Sequence, residues 1–240
     1  MDRRARRYRR LMAHFLLLHG ACHGGWCWDS VAPILHAAGH RTTAPDLPCN
    51  RLDAGLREYA GVAVAALPDA VDEVVVVGHS LGALVVPLVA HRVPTRRIVM
   101  LAGVVGAPGR SLESLAAEDA DRDLPLEDSD LEFDAEGRFR FSDAGARRVL
   151  YHDCPPKVAD ASIARLRFQR SMWREVADFD AWPGVETMSV VCAEDRVVDP
   201  GWSRRIARER LGVEPIDLQG GHSPFLTRPA ALADELMAGL

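Results

Sequence analysis

Residues 73–92 read EVVVVGHSLGALVVPLVAHR: a short apolar run, a Gly-x-Ser-x-Gly turn and a second apolar run. Val74 to Val77 are β-branched and stiff at χ1, and an unbroken run of this kind suits a strand buried on both faces of a parallel sheet. Beyond the turn, Leu81, Leu84, Val85, Leu88 and Val89 recur at helical spacing, so the stretch reads strand, turn, helix. Gly78 and Gly82 let the backbone approach itself closely enough to hold Ser80 on a strained corner above the sheet. A serine so placed is a nucleophile elbow: its hydroxyl is exposed, and the start of the following helix offers unpaired N–H groups to a developing oxyanion.

Outward from this corner, strand-like and helix-like stretches alternate, which predicts a parallel sheet built from βα units. Ala13 to Leu18 form the first strand, and a glycine-rich loop, HGACHGGWCW, follows it. Asp29 or Ser30 then caps a helix through about Ala38. HRTTAPDLP is a second strand ending in a proline-bounded loop, and a helix runs from Gly55 through Ala66. RRIVMLAGV, ETMSVVCAED and VEPIDLQGGHS give further strands, with a helix of Trp202 to Arg210 between the last two and a closing helix in PAALADELMAGL. Between about residues 106 and 184 the alternation breaks down, and this long insertion is a candidate helical cap over the sheet. Residues 113–136 hold eleven acids and one base, Arg122, whereas 137–174 hold nine bases and three acids. Solvated helix faces or mutual attraction of the two halves account for this segregation better than a charged-substrate site.

A chain of 240 residues with 48% apolar composition buries a substantial core. Its formal charge of −5 conceals a basic start, for residues 1–11 carry six arginines against Asp2, a local +5 that leaves −10 on the rest. An acidic body argues against a nucleic-acid partner. Residues 1–11 read as a disordered basic tail, or as an upstream extension if translation begins at Met12, and residues 12–240 as one catalytic domain. The apolar run after the tail is short, contains His14 and lacks a small-residue cleavage site, so it is a strand and not a signal peptide. No segment reaches the ~18 apolar residues of a membrane span. Five cysteines, Cys22, Cys27, Cys49, Cys154 and Cys192, are an odd number without zinc-site spacing, which fits a reduced cytoplasmic setting. Asp119, Asp121 and Asp123 copy the first ligand positions of a calcium loop, but Leu124 replaces its glycine and Asp130 its glutamate, so no metal is expected.

A serine hydroxyl needs a base, and the base an orienting carboxylate. Of nine histidines, His222 lies in QGGHSPF directly after the last strand, at the carboxyl end where open α/β sheets place their sites. His79 adjoins Ser80 and should point elsewhere; His19 and His23 shape the first loop; His14, His36, His40, His91 and His152 suit core, surface or cap. The strand MSVVC empties into AEDRVVDP, which offers Glu194, Asp195 and Asp199. Asp195, nearest the strand end, is favoured because the carboxylate must be held rigidly to fix the histidine tautomer. Ser80, Asp195 and His222 then follow the chain order of elbow-type serine hydrolases. One oxyanion donor is the N–H of Leu81, after the nucleophile, and the other is assigned to Ala21 in the first loop. Cys22, Trp26, Trp28, Phe168, Met172 and Trp173 are candidates for an apolar pocket.

The segments LLLHGACHGGWCW, VVGHSLGA, LYHDCPP, VVCAEDR and GGHSPF together resemble the α/β-hydrolase family of plant methyl esterases and hydroxynitrile lyases, with similar bacterial esterases. The resemblance spans roughly residues 12–240. It implies a mostly parallel sheet flanked by helices, a helical cap over a mostly apolar pocket, a triad at Ser80, Asp195 and His222, and oxyanion donors at Ala21 and Leu81. Lyase members carry a lysine after the histidine and usually a threonine beside the first-loop histidine, where this chain has Ser223 and Gly20. The expected activity is therefore cleavage of a carboxylic ester, a small or methyl ester or a lactone, through an acyl-enzyme and without a cofactor. The alternatives are a lyase or biosynthetic cyclase using the same pocket, and a ligand-binding protein that keeps the triad unused. The partner is a small-molecule ester, and a homodimer is compatible with this reading.

Overall fold

A computed structural model describes residues 12–123 and 126–240 of the chain. The arginine-rich start at 1–11, and Leu124 of the calcium-loop comparison, lie outside the described residues. Six strands, β1 (His14–Leu18), β2 (Arg41–Thr43), β3 (Val74–His79), β4 (Thr95–Leu101), β7 (Glu186–Cys192) and β8 (Ile216–Leu218), form one sheet in the order β2-β1-β3-β4-β7-β8. Every neighbouring pair is parallel, with Leu18 opposite Gly78, Val77 opposite Val99 and Val190 opposite Ile216 in register.

The apolar runs are continuous because both faces of the sheet are covered. Leu16, Leu18, Val74, Val76, Ile98 and Met100 point to one side, where they meet α2 (Leu56–Ala65), α3 (Val86–Ala90) and α7 (Pro200–Glu209) through residues such as Tyr59, Val89 and Trp202. Phe15, Leu17, Val75, Val77, Val99 and Leu101 alternate with them onto the other side, against Leu35 of α1 (Ala32–Ala37) and Leu232 and Leu236 of the closing helix, Pro229–Met237. At about 25 cal/mol per Å² of buried apolar surface, these two layers are the main term holding the sheet.

The helix expected after the elbow is divided in two. Ser80–Leu84 is a 3₁₀ turn and the α-helix begins only at Val86. Pro87 lacks the N–H that would bond back into the preceding turn, so the tighter turn ends before the α-helix starts.

Between β4 and β7 lies α4 (Leu112–Leu115), a hairpin of β5 (Leu131–Phe133) and β6 (Phe139–Phe141), and then α5 (Asp143–Gly145), which runs into a π-helical turn, Ala146–Leu150. A further helix, α6 (Pro156–Ile163), completes the segment. The antiparallel hairpin is an addition to the helices expected in the insertion. Its signal is the alternation of Leu131, Phe133, Phe139 and Phe141 about a turn in which Gly137 has φ +75° and Asp134 accepts the Arg138 N–H. The segregated charges pair with one another: Arg138 with Asp134, Arg140 with Glu132, Arg148 with Asp130 and Arg174 with Glu113. The three calcium-loop aspartates are likewise engaged, Asp119 by Arg210 and the Trp202 indole, Asp121 by Arg205 and Asp123 by Arg122.

Candidate active site

Three loops at the carboxyl ends of β3, β7 and β8 converge on one cavity. Ser80 sits at the end of β3 with φ +49°, a left-handed conformation that non-glycine residues rarely adopt. The corner is possible because Gly82 packs against the first loop: a Cβ there would lie 2.6 Å from the His19 carbonyl oxygen. Asp195 follows β7 and His222 follows β8, and Nδ1–H of His222 donates to Asp195 Oδ2 at 2.7 Å with both side chains buried. The other carboxylate oxygen of Asp195 accepts two backbone N–H groups, from Val197 at 2.8 Å and Val198 at 3.1 Å. Asp199, the competing acid, caps α7 by accepting the Trp202 N–H at 2.8 Å. Ser80 and His222 border the same cavity, of about 410 Å³, together with Ala21 and Leu81.

The other histidines brace this arrangement. His79 borders the cavity beside Ser80, and its Nε2–H donates to the His222 carbonyl at 2.8 Å, fixing the backbone that carries His222. His19 Nδ1–H donates to the Gly20 carbonyl at 2.8 Å, and that carbonyl shares a peptide plane with the Ala21 N–H. His19 Nε2 in turn accepts from the Leu47 N–H at 2.9 Å. His23 Nδ1–H donates to the Ala21 carbonyl at 2.7 Å while Nε2 accepts from the Tyr151 hydroxyl at 2.9 Å. Arg167, from the insertion, reaches the His23 and Leu47 carbonyls at 2.6 and 3.2 Å and His19 Nε2 at 3.2 Å. The adjacent pair His152 and Asp153, also from the insertion, touches the loops that carry Asp195 and His222: His152 Nε2 donates to the Glu194 carbonyl at 3.0 Å, and Asp153 accepts the Gly221 N–H at 2.8 Å. None of these tertiary braces has a local sequence pattern.

Burial depresses the imidazole pKa of His19 to about 3 and of His23 to about 4, and pushes that of His79 well below the ordinary 6.5. For His23 and His79 the nearby His222 adds to the effect. Acid should therefore unfold the protein through these rings. The unfolded chain takes up protons near pH 6.5 while the folded rings stay neutral, so their stabilising contribution is complete above that pH and is lost as pH falls through 4 for His23 and 3 for His19. Urea melts at pH 6.5 and 4.5 are expected to differ by on the order of 5 kcal/mol for His19 and His23 together. Equal midpoints would show that these rings do not stay neutral in the fold.

Of the pocket candidates, Met172 and Trp173 border the cavity, whereas Cys22, Trp26, Trp28 and Phe168 lie elsewhere. Cys22, at φ +62°, packs into the apolar centre of the insertion with Phe141 and Leu150. Trp28 is buried against Phe225, Trp26 stacks on His23 beneath Arg165, and Phe168 lies beneath Arg140. The walls come instead from the hairpin and its flanks: Leu126, Leu131, Phe133, Phe139, Phe141 and Leu150, with Leu112, Val104 and Val197. Arg122 and Asp123 also border it, paired to one another with Nε to Oδ1 at 2.8 Å. The chain's one lysine, Lys157, lines a separate groove beside Trp26. Gly20 has no room for a side chain, since a Cβ would fall 2.8 Å from His79 Nδ1 and 2.9 Å from Ser80 Cβ. Among the described residues no cluster of His, Cys, Asp or Glu is arranged to hold a metal, and no helix is long and apolar enough to cross a membrane. All five cysteines are free thiols.

Residues 15–235 match the model of the alpha/beta hydrolase family. The chain is 28% identical to salicylic acid-binding protein 2 of Nicotiana tabacum, over 93% of its own length and 95% of the relative's. It is 26% identical to methylesterase 2 of Arabidopsis thaliana, over 94% and 95%. The solved structure of polyneuridine aldehyde esterase superposes with a TM-score of 0.77 at 20% identity, covering 94% of this chain and 98% of that one.

Proposed function

The chain belongs to the alpha/beta hydrolase family, and from that premise we propose that it is a serine hydrolase of carboxylic esters, small or methyl esters or lactones, working through Ser80, Asp195 and His222. The observation that carries this reading is the convergence of Ser80, on its strained corner, with His222 on one cavity while Asp195 holds the far side of the imidazole at 2.7 Å. Ser80 Oγ attacks the ester carbonyl as His222 Nε2 takes its proton; the oxyanion that forms is met by the N–H groups of Ala21 and Leu81. His222 returns the proton to the departing alcohol, leaving an acyl-enzyme, and a water activated by the same imidazole releases the acid. Every step uses groups of this chain. The free cysteines, four of them buried, suit a reduced cytoplasmic setting.

Cyanohydrin cleavage makes a different demand, because departing cyanide carries charge that an apolar pocket must meet with a fixed cation. Ser223 follows His222, Lys157 is elsewhere, and Arg122 is occupied by Asp123. Ester turnover with a p-nitrophenyl ester is therefore expected alongside no detectable benzaldehyde from mandelonitrile. Ser80-dependent aldehyde release without ester turnover would reverse the assignment, and failure of a fluorophosphonate to label Ser80 would point to a binding protein.

A further inference from the structure

Six large apolar side chains stand exposed among the described residues, and three of them, Leu126, Phe133 and Trp173, border the cavity that holds Ser80 and His222. The hairpin explains how they connect to it. Leu131 faces Phe141 and Phe133 faces Phe139 across the strands, so all four side chains share one face, while Glu132 and Arg140 pair on the other. The result is an apolar strip that starts at buried Phe141, 6% exposed, and ends at Phe133, 66% exposed. Leaving a phenyl ring that far in water at the end of a strip that lines a catalytic cavity is the mark of a binding surface.

We propose that this strip, with Leu126 and Trp173, is an outer subsite for the non-reacting hydrocarbon part of a bulky, uncharged ester; the proposal rests on the ester-hydrolase reading above. Charge and size favour that occupant. The two ionic side chains at the cavity, Arg122 and Asp123, neutralise one another, and burial keeps His23 and His79 uncharged. A carboxylate or an ammonium on the substrate would have to compete with that ion pair for a counter-charge, at the cost of leaving its own water. A cavity of about 410 Å³ is more than a short-chain ester fills, so small esters leave the strip uncovered.

Two homologous series test the proposal on the intact protein: methyl alkanoates from butanoate to decanoate, and alkyl acetates of the same chain lengths, each kept below its solubility limit. In at least one series kcat/KM is expected to climb by up to about fourfold per buried methylene, and by at least about tenfold across the series. Phe133→Ser should flatten that climb severalfold in the ratio of longest to shortest ester, and Phe133→Leu should restore most of it. The half-ester methyl hydrogen octanedioate should be turned over at least about tenfold less efficiently than methyl octanoate. A climb absent from both series, a ratio unmoved by Phe133→Ser, or equal use of the half-ester would overturn the subsite while leaving ester hydrolysis standing. A climb that appears only with dispersed substrate droplets would assign the strip to a lipid surface and also overturn it. Hydrolysis of no ester in either series would instead remove the reading on which the proposal rests.

Discussion

Ser80→Ala is expected to lower ester turnover by about 10⁶-fold, to the level left by binding and the oxyanion donors alone. Its melting temperature should stay within a degree or two of the parent's, because alanine keeps a Cβ at φ +49° and so neither adds to nor relieves the strain at the corner. Ser80→Gly supplies the control. It loses the same hydroxyl but relaxes the left-handed residue, and should lose as much activity while melting no lower than the alanine variant. Steady-state hydrolysis with thermal melts on the same samples measures both. Turnover surviving in either variant would show that the nucleophile is another group.

Asp195→Asn is expected to cost about 10⁴-fold in kcat with little change in fold, whereas Asp199→Asn should stay within a few fold of the parent. The size of the first effect follows from the two N–H groups on Asp195 Oδ1. They require an acceptor, so the amide oxygen of an asparagine would take that position and turn its NH₂ toward His222. The imidazole must then present a lone pair at Nδ1 and carry its proton on Nε2, where it cannot receive one from Ser80. In Asp199→Asn, by contrast, the side-chain amide oxygen can still accept the Trp202 N–H at the start of α7. Comparable losses in the two variants, or a reversed order, would displace Asp195 from its assigned place.

The parts of the molecule that can be read from sequence are those whose physical constraint is local. A parallel strand covered on both sides has to be apolar at every position, which is why Val74 to Val77 can be recognised, and elbow, acid and histidine each follow a strand end. Pro87 is visible too, although its effect in dividing the elbow helix emerges only from the structure. The pocket was legible only at Met172 and Trp173, because aromatic residues in a glycine-rich loop serve equally well as core: Trp28 fills the space against Phe225, while most of the wall is built by hairpin residues far along the chain, Leu131 to Phe141. The braces from Arg167 and Asp153 exist only once the insertion has folded back over the sheet.

That insertion divides into a part that walls the cavity and a part hydrogen-bonded to the loops that carry Ala21, Asp195 and His222. Around Leu126 to Phe141 it lines the cavity, and at Tyr151 to Asp153 and Arg167 it bonds to His23 of the first loop, to Glu194 beside Asp195 and to Gly221 beside His222. Descendants of this sequence can therefore drift in the hairpin, exchanging one apolar residue for another and exploring new substrates while the chemistry is inherited intact. In the later part the same drift is penalised at once. Selection for a new specificity should accordingly fix its first changes near Phe133 and leave Asp153 and Arg167 alone.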